Sequence, residues 1–195
     1  LGPMRALDQL ESADSLLLQA ELANPEGVLA TLERARLAQS MAILSARGRQ
    51  QFPDSTALPH PSIYFRRSIA RADEVVRRAP QLADGWLLRG RSTDLLLGFL
   101  EDSTLGPRAL TDLRQANRLD PSRPAVWMAQ ASIESRIGEL RAALFSIRRA
   151  QEADPLHSQG DYLDYKRFEA ELQLERYDSA MVACSAGAGC RSVVL

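Results

Sequence analysis

A chain of 195 residues with 45% hydrophobic, 25% charged and only 6% aromatic residues has the makeup of a globular, helix-rich protein. The net charge of −1 gives no electrostatic case for nucleic acid as a partner. No window approaches the ~18 to 20 consecutive apolar residues of a membrane span, and no signal peptide is legible. Arginine supplies 23 of the 24 basic residues, with Lys166 the exception, a bias that fits a GC-rich, bacterial coding sequence.

Leu1-Gly2-Pro3, ahead of Met4, looks like the remnant of a cleaved tag. A first helix is expected over residues 4–22, where Leu7, Leu10, Asp14, Leu17 and Leu18 set a helical period with one apolar stripe. Asn24 then reads as a cap with Pro25 in the first helical position, opening a second helix that stops at Gly48. Residues 49–60 contain Pro53, Pro59 and His60 and read as a long surface loop. Further helices are expected over 62–78, over a stretch that carries Trp86 and runs to 101, and over 107–119, 123–137 and 139–153. Two more begin near Gly160 and Tyr177. Residues 102–107 break the chain, and no alternating β-branched run suggests a strand.

Two stretches share a register. Trp127 is followed by Ala131, Gly138, Ala143, Ile147, Ala150 and Pro155, and Trp86 by Gly90, Ala109, Leu113, Ala116 and Pro121. The step from Pro80 to Trp86 equals that from Pro121 to Trp127. A large ring one helical turn from a small residue allows close interdigitation of two helices. Gly138 permits a tight turn, and Pro155 cannot continue a helix.

These landmarks resemble the tetratricopeptide repeat family. The resemblance implies an all-α fold, a right-handed superhelical solenoid of helix-turn-helix repeats. It divides the chain into the tag remnant at 1–3, a capping helix at 4–24 and a degenerate unit at 25–80 with its loop at 49–60. A unit with an insertion follows at 81–121, then a regular unit at 122–155, a last unit at 156–186 and a tail at 187–195. Within the family, the first helix of each unit lines the concave face. Asp84, Leu87, Arg91 and Asp94 therefore map to a groove, as do Met128, Ser132 and Ser135, and Leu163, Arg167 and Ala170. The family members that clamp chaperone tails carry Lys and Asn in this groove. Here Leu87, Arg91, Met128 and Ser132 stand there instead.

No constellation for catalysis, cofactor or metal is legible. His60 and His157 are isolated in loops, and phosphate loops, nucleophile elbows and metal-binding helices are missing. Cys184 and Cys190 allow either a small disulfide loop or two free thiols. Five arginines stand against two acids between Tyr64 and Pro80, whereas eight acids stand against three bases between Ala150 and Ala180. The expected function is a non-enzymatic scaffold that holds an extended peptide or helix of another protein. Its setting would be the cytoplasm or periplasm of a bacterium, as the soluble part of an envelope, secretion or polysaccharide-export assembly. Any membrane link would run through a segment outside this sequence or through a partner. The alternatives are a self-assembling module stacking end to end and a soluble domain of a larger membrane enzyme.

Overall fold

A computed structural model describes residues 2–52, 58–100, 102–154, 156 and 160–186. Their regular elements are all helical: α1 Gly2–Ala23, α2 Leu29–Gln51, α3 Pro61–Arg78, α4 Ala83–Leu100, α5 Gly106–Leu119, α6 Pro124–Arg136, α7 Leu140–Ala153, α8 Gly160–Gln173 and α9 Tyr177–Ala186. A single 3-10 turn, Ser103–Leu105, precedes α5. No described helix is long and apolar enough to cross a membrane. The chain divides into two compact units, Leu1–Asp112 and Leu113–Leu195.

In the first unit, α1, α2, α3 and α4 pack in sequence. One cluster joins Leu7, Met41, Tyr64, Phe65 and Leu96; another joins Leu32, Ala35, Ala72, Val75 and Leu88. Ala35 and Ala72 are fully buried, and their small side chains let α2 and α3 approach closely. Each large apolar side chain withdrawn from water contributes about 1.5–3 kcal/mol.

Charge fastens α1 to this core. Asp14 accepts hydrogen bonds from Arg34 Nε on α2 (3.0 Å) and from Arg71 Nη1 and Nη2 on α3 (both 2.8 Å). Glu21 takes a second nitrogen of Arg34 at 2.5 Å and the hydroxyl of Thr31. Burial works to raise the Asp14 carboxyl, but hydrogen bonds and charge from Arg34 and Arg71 outweigh it and hold the group below the ordinary aspartate range.

In the second unit, α6 pairs with α7, α7 with α8 and α8 with α9. Ala131, Ile147, Ala150 and Leu163 form its core, flanked by Trp127 and Met128. The α6–α7 turn is closed by Gly138 at φ 81°. The amide of Glu139 reaches back to the Glu134 carbonyl (2.8 Å), a Schellman closure. The same closure recurs between α8 and α9, where the Arg176 amide bonds the Glu171 carbonyl (2.9 Å). There the left-handed position falls to Glu175 at φ 58°.

Three boundaries differ from the sequence reading. Asn24 and Pro25 do not open α2. They lie in a turn ahead of Val28, the residue that precedes the helix, and Arg78 donates to the carbonyls of Pro25 and Gly27. Gly48 does not stop α2, which continues to Gln51. A Cβ on Gly48 would meet Leu58 Cδ1 at 2.8 Å and Pro3 Cβ at 3.2 Å, so this glycine makes room for two neighbours. α1 begins at Gly2, two residues ahead of the expected start at residue 4. The expected loop at 49–60 is also shorter and partly packed. Leu58 is 3% exposed within the core of the first unit, Arg49 Nη1 donates to its carbonyl (2.9 Å), and Ser45 bonds the carbonyl of Pro59. Residues 53–57 lie outside the described residues, as do Pro155, His157, Cys190 and the tail from 187.

Two mutations test this description. Leu58→Ala should lower stability by about 2–4 kcal/mol in urea unfolding, the cost of truncating a packed leucine. A change below about 0.5 kcal/mol, the range of surface substitutions, would return residue 58 to a solvated loop. Glu175→Gly should raise stability by about 1 kcal/mol, because glycine adopts the left-handed conformation without the clash of a Cβ. A melting temperature that falls on this substitution would refute the Schellman closure at that turn.

Candidate functional site

The two tryptophans perform one local task. Trp86 Nε1 donates to the carbonyl of Pro80 at 2.8 Å, and Trp127 Nε1 donates to the carbonyl of Pro121 at 2.9 Å. Each indole thus ties the start of its helix to the turn that precedes it. Each also lies under a guanidinium, with Arg89 4.9 Å from the Trp86 ring centre and Arg149 5.4 Å from that of Trp127. The equal Pro-to-Trp spacing in the sequence therefore marks a repeated hydrogen bond. Both indoles remain half-buried.

The groove residues expected in the first unit separate into two kinds. Arg91 is exposed and Leu87 half-buried on α4, and Asp84 forms an ion pair with Arg36 on α2. Gln39 on α2 donates to Ser92 on α4 at 2.8 Å, which ties the two helices further along. Asp94 departs from this set. It is 5% exposed, because the second half of α4 is enclosed by α2, α3 and the 3-10 turn.

In the second unit, Met128, Ser132 and Ser135 of α6 and Leu163 of α8 line one small enclosed cleft of about 10 Å³, which Tyr162 and Lys166 also line. The sequence reading sets these four residues together, and the fold does bring them together. Leu163, however, is 1% exposed and belongs to the core rather than to a groove floor, and Ala170, seven residues on, is buried with it. The stripe of α8 that they form packs inward. Arg167 is half-buried, and its Nε has no hydrogen-bond partner among the described residues. Lys166 pairs with Glu169 at 2.7 Å. Burial tends to lower the ammonium and raise the carboxyl. The pairing prevails over both, so Lys166 is held above and Glu169 below its ordinary range.

A larger feature escapes the sequence. An open cleft of about 710 Å³ lies among α5, α6 and α7 of the second unit, with Arg114, Arg118, Trp127, Phe145 and Arg149 in its walls. Phe145 stands edge-on to Trp127 with ring centres 6.2 Å apart. Its signal in the sequence is its position off the Ala143, Ile147 and Ala150 stripe, which turns the ring outward. Beneath the cleft a buried polar chain runs from Asn117 Nδ2 to Gln130 Oε1 (2.6 Å) and from Gln130 Nε2 to Glu134 Oε1 (2.9 Å). Ser146 Oγ donates to the other Glu134 oxygen at 2.6 Å.

The isolated histidine His60 bonds Ser62 at 2.7 Å and meets the Phe99 ring edge-on at 4.9 Å. Cys184 is buried as a free thiol. Among the described residues, no three His, Cys, Asp or Glu side chains gather to hold a metal.

No protein-family model matches the sequence. No curated protein matches it either. Solved structures do share its fold. The thermophilic TPR protein TTC0263 of Thermus thermophilus aligns with a TM-score of 0.64 at 18% identity, over 93% of this chain and 83% of that one. YrrB, a TPR protein with an unusual peptide-binding site, aligns at 0.53 and 16% identity over 90% and 92%. The TPR2B domain in the pHsp70 complex of yeast Sti1 aligns at 0.50 and 20% identity over 70% and 98%. The chain therefore has the tetratricopeptide repeat fold.

Trp127→Ala should cost about 3 kcal/mol, at the low end for a core aromatic because the ring is half-exposed. Trp127→Phe keeps most of the packing and loses the bond to Pro121, so it should cost about 1 kcal/mol. Chemical unfolding of the two variants checks this ordering. A cost near zero for Trp127→Phe would mean that packing alone, without the indole bond, fastens this turn.

Proposed function

We propose that this chain is a protein-interaction scaffold, which holds an extended segment or a helix of a partner against the first helices of its repeats. The observation that carries the reading is the repeat geometry itself. In this reading the first helix of each repeat, α4 in the first unit and α6 and α8 in the second, supplies the binding face, and the recurrence of the Trp-to-Pro bond at α4 and α6 and of the Schellman turn after α6 and α8 supports that repeat register. In the first unit that face offers Arg91 beside Leu87, with Asp84 held by Arg36. In the second it offers Met128, Ser132, Ser135 and Arg167. Arginine beside apolar surface suits a segment carrying carboxylates and aliphatic side chains. Two structural neighbours support the reading, since YrrB is described with a peptide-binding site and the Sti1 domain with pHsp70. A bacterial envelope, secretion or polysaccharide-export setting belongs to the same proposal and rests on the family resemblance.

A second reading, self-assembly, is favoured by Tyr177 and Met181, which stand exposed one turn apart on α9. Scattering mass measured across concentration separates it from a monomeric scaffold.

Arg91→Glu and Arg167→Glu, made singly, should each reduce recovery of partners from the source organism. Arg91→Glu should change folding stability by at most about 1 kcal/mol, as for other exposed charges. Undiminished recovery with both variants would remove these arginines from the binding face.

A further inference from the structure

The cleft among α5, α6 and α7 belongs to the second unit alone and lies away from the α6–α8 contact at Met128 and Leu163. We infer that it is a second docking site, for an extended segment of a partner protein in which acidic side chains flank one aromatic or large aliphatic side chain. This goes beyond the groove reading and does not depend on it.

Two observations point to that occupant. The first is apolar. Phe145 is 58% exposed although Trp127 stands beside it, and burying both rings under an inserted side chain recovers the hydrophobic contribution the free protein forgoes. The second is electrostatic. Arg114, Arg118 and Arg149 line the cleft against the single acid Glu152, so its walls are net positive. Arg118 bonds only the neutral Gln115 (3.2 Å) among the described residues, so its charge is available. Arg149 and Arg114 are partly neutralised, by Glu152 at 2.6 Å and Glu139 at 3.5 Å. Spread, partly screened positive charge fits single carboxylates better than a phosphate dianion, which the neighbouring glutamates would repel. The volume, about 710 Å³, accommodates one large side chain and its flanking backbone.

The test uses a synthetic peptide with one phenylalanine between pairs of glutamates, titrated to millimolar concentration into the full nitrogen-15-labelled chain. The chain has only two tryptophans, so the indole N–H signals report each repeat separately. The Trp127 signal should shift on titration and the Trp86 signal should not. A peptide with lysines in place of the glutamates should shift neither. Arg118→Glu combined with Arg149→Glu should weaken binding at least about tenfold, the worth of one charge-assisted contact. Phe145→Ser should weaken it similarly, and far-UV circular dichroism should show each variant folded. If the double variant unfolds, Arg118→Glu alone, at an exposed position, carries the same expectation. Arg91→Glu should leave the Trp127 shift intact, which separates this site from the groove. The inference is overturned if Trp127 is unmoved, if the lysine peptide binds equally, or if the cleft variants bind like the native chain. Tighter cleft-dependent binding of a phosphoserine peptide or of phosphatidylserine vesicles overturns it as well.

Discussion

The hydrogen bond from an indole nitrogen to a proline carbonyl is the constraint from which this architecture follows. A helix that begins just after a proline turn has a direction still to be set. In both units the tryptophan sets it, by bonding a carbonyl six residues upstream at 2.8 or 2.9 Å. The turn carbonyl thereby gains a partner within the chain. The ring then lies against the small residues of its own helix and the next, where Ala131, Ile147 and Ala150 form the core around Trp127. Packing alone would let such a ring slide, whereas a directed hydrogen bond fixes it.

The same geometry explains what the sequence conveys and what it conceals. Landmark residues with one dominant role are legible. Trp86, Trp127, Gly138 and the Ala143, Ile147 and Ala150 stripe take the places their spacing demands, and the helices after Pro61 begin and end within a few residues of expectation. Failures fall where a residue's usual habit is overridden by tertiary contact. Gly48 resembles a helix stop, but Leu58 and Pro3 occupy the space a side chain would fill, and the helix runs through. Asn24-Pro25 resembles a helix start, but Arg78 from α3 captures the carbonyls of Pro25 and Gly27 and holds the segment as a turn. Leu163 looks like groove surface when a repeat template is laid over α8. The helix instead presents that stripe to the core.

Polar groups are the least legible class. Asp14, Arg34 and Arg71 come from three helices, and nothing in their local sequence shows that they converge. Their convergence makes the first helix part of the core of its unit instead of a detachable cap. Glu134 is likewise an ordinary acidic helix residue by pattern. It is almost completely buried, and Gln130 and Ser146 satisfy its oxygens. Buried groups of this kind specify one arrangement, because each is costly to leave unpaired.

An indole that must reach back to the turn before its helix cannot also sink into the core, so one edge of Trp127 stays near solvent. That exposed edge is a consequence of the bond to Pro121 and needs no functional cause. Phe145 is different. No hydrogen bond holds it outward, and the stripe at Ala143, Ile147 and Ala150 packs without it. A polar residue there would keep the fold and remove an exposed apolar ring from the surface. Its presence beside an arginine-lined cleft is therefore a feature of the second unit that folding does not explain. Arg149 sharpens the contrast, since it lies over the Trp127 ring and also faces the cleft, so stability and recognition draw on the same guanidinium. A fold built from repeated clasps of this kind leaves an aromatic edge at each turn, and a neighbouring aromatic and a few cations are enough to convert that edge into a binding surface.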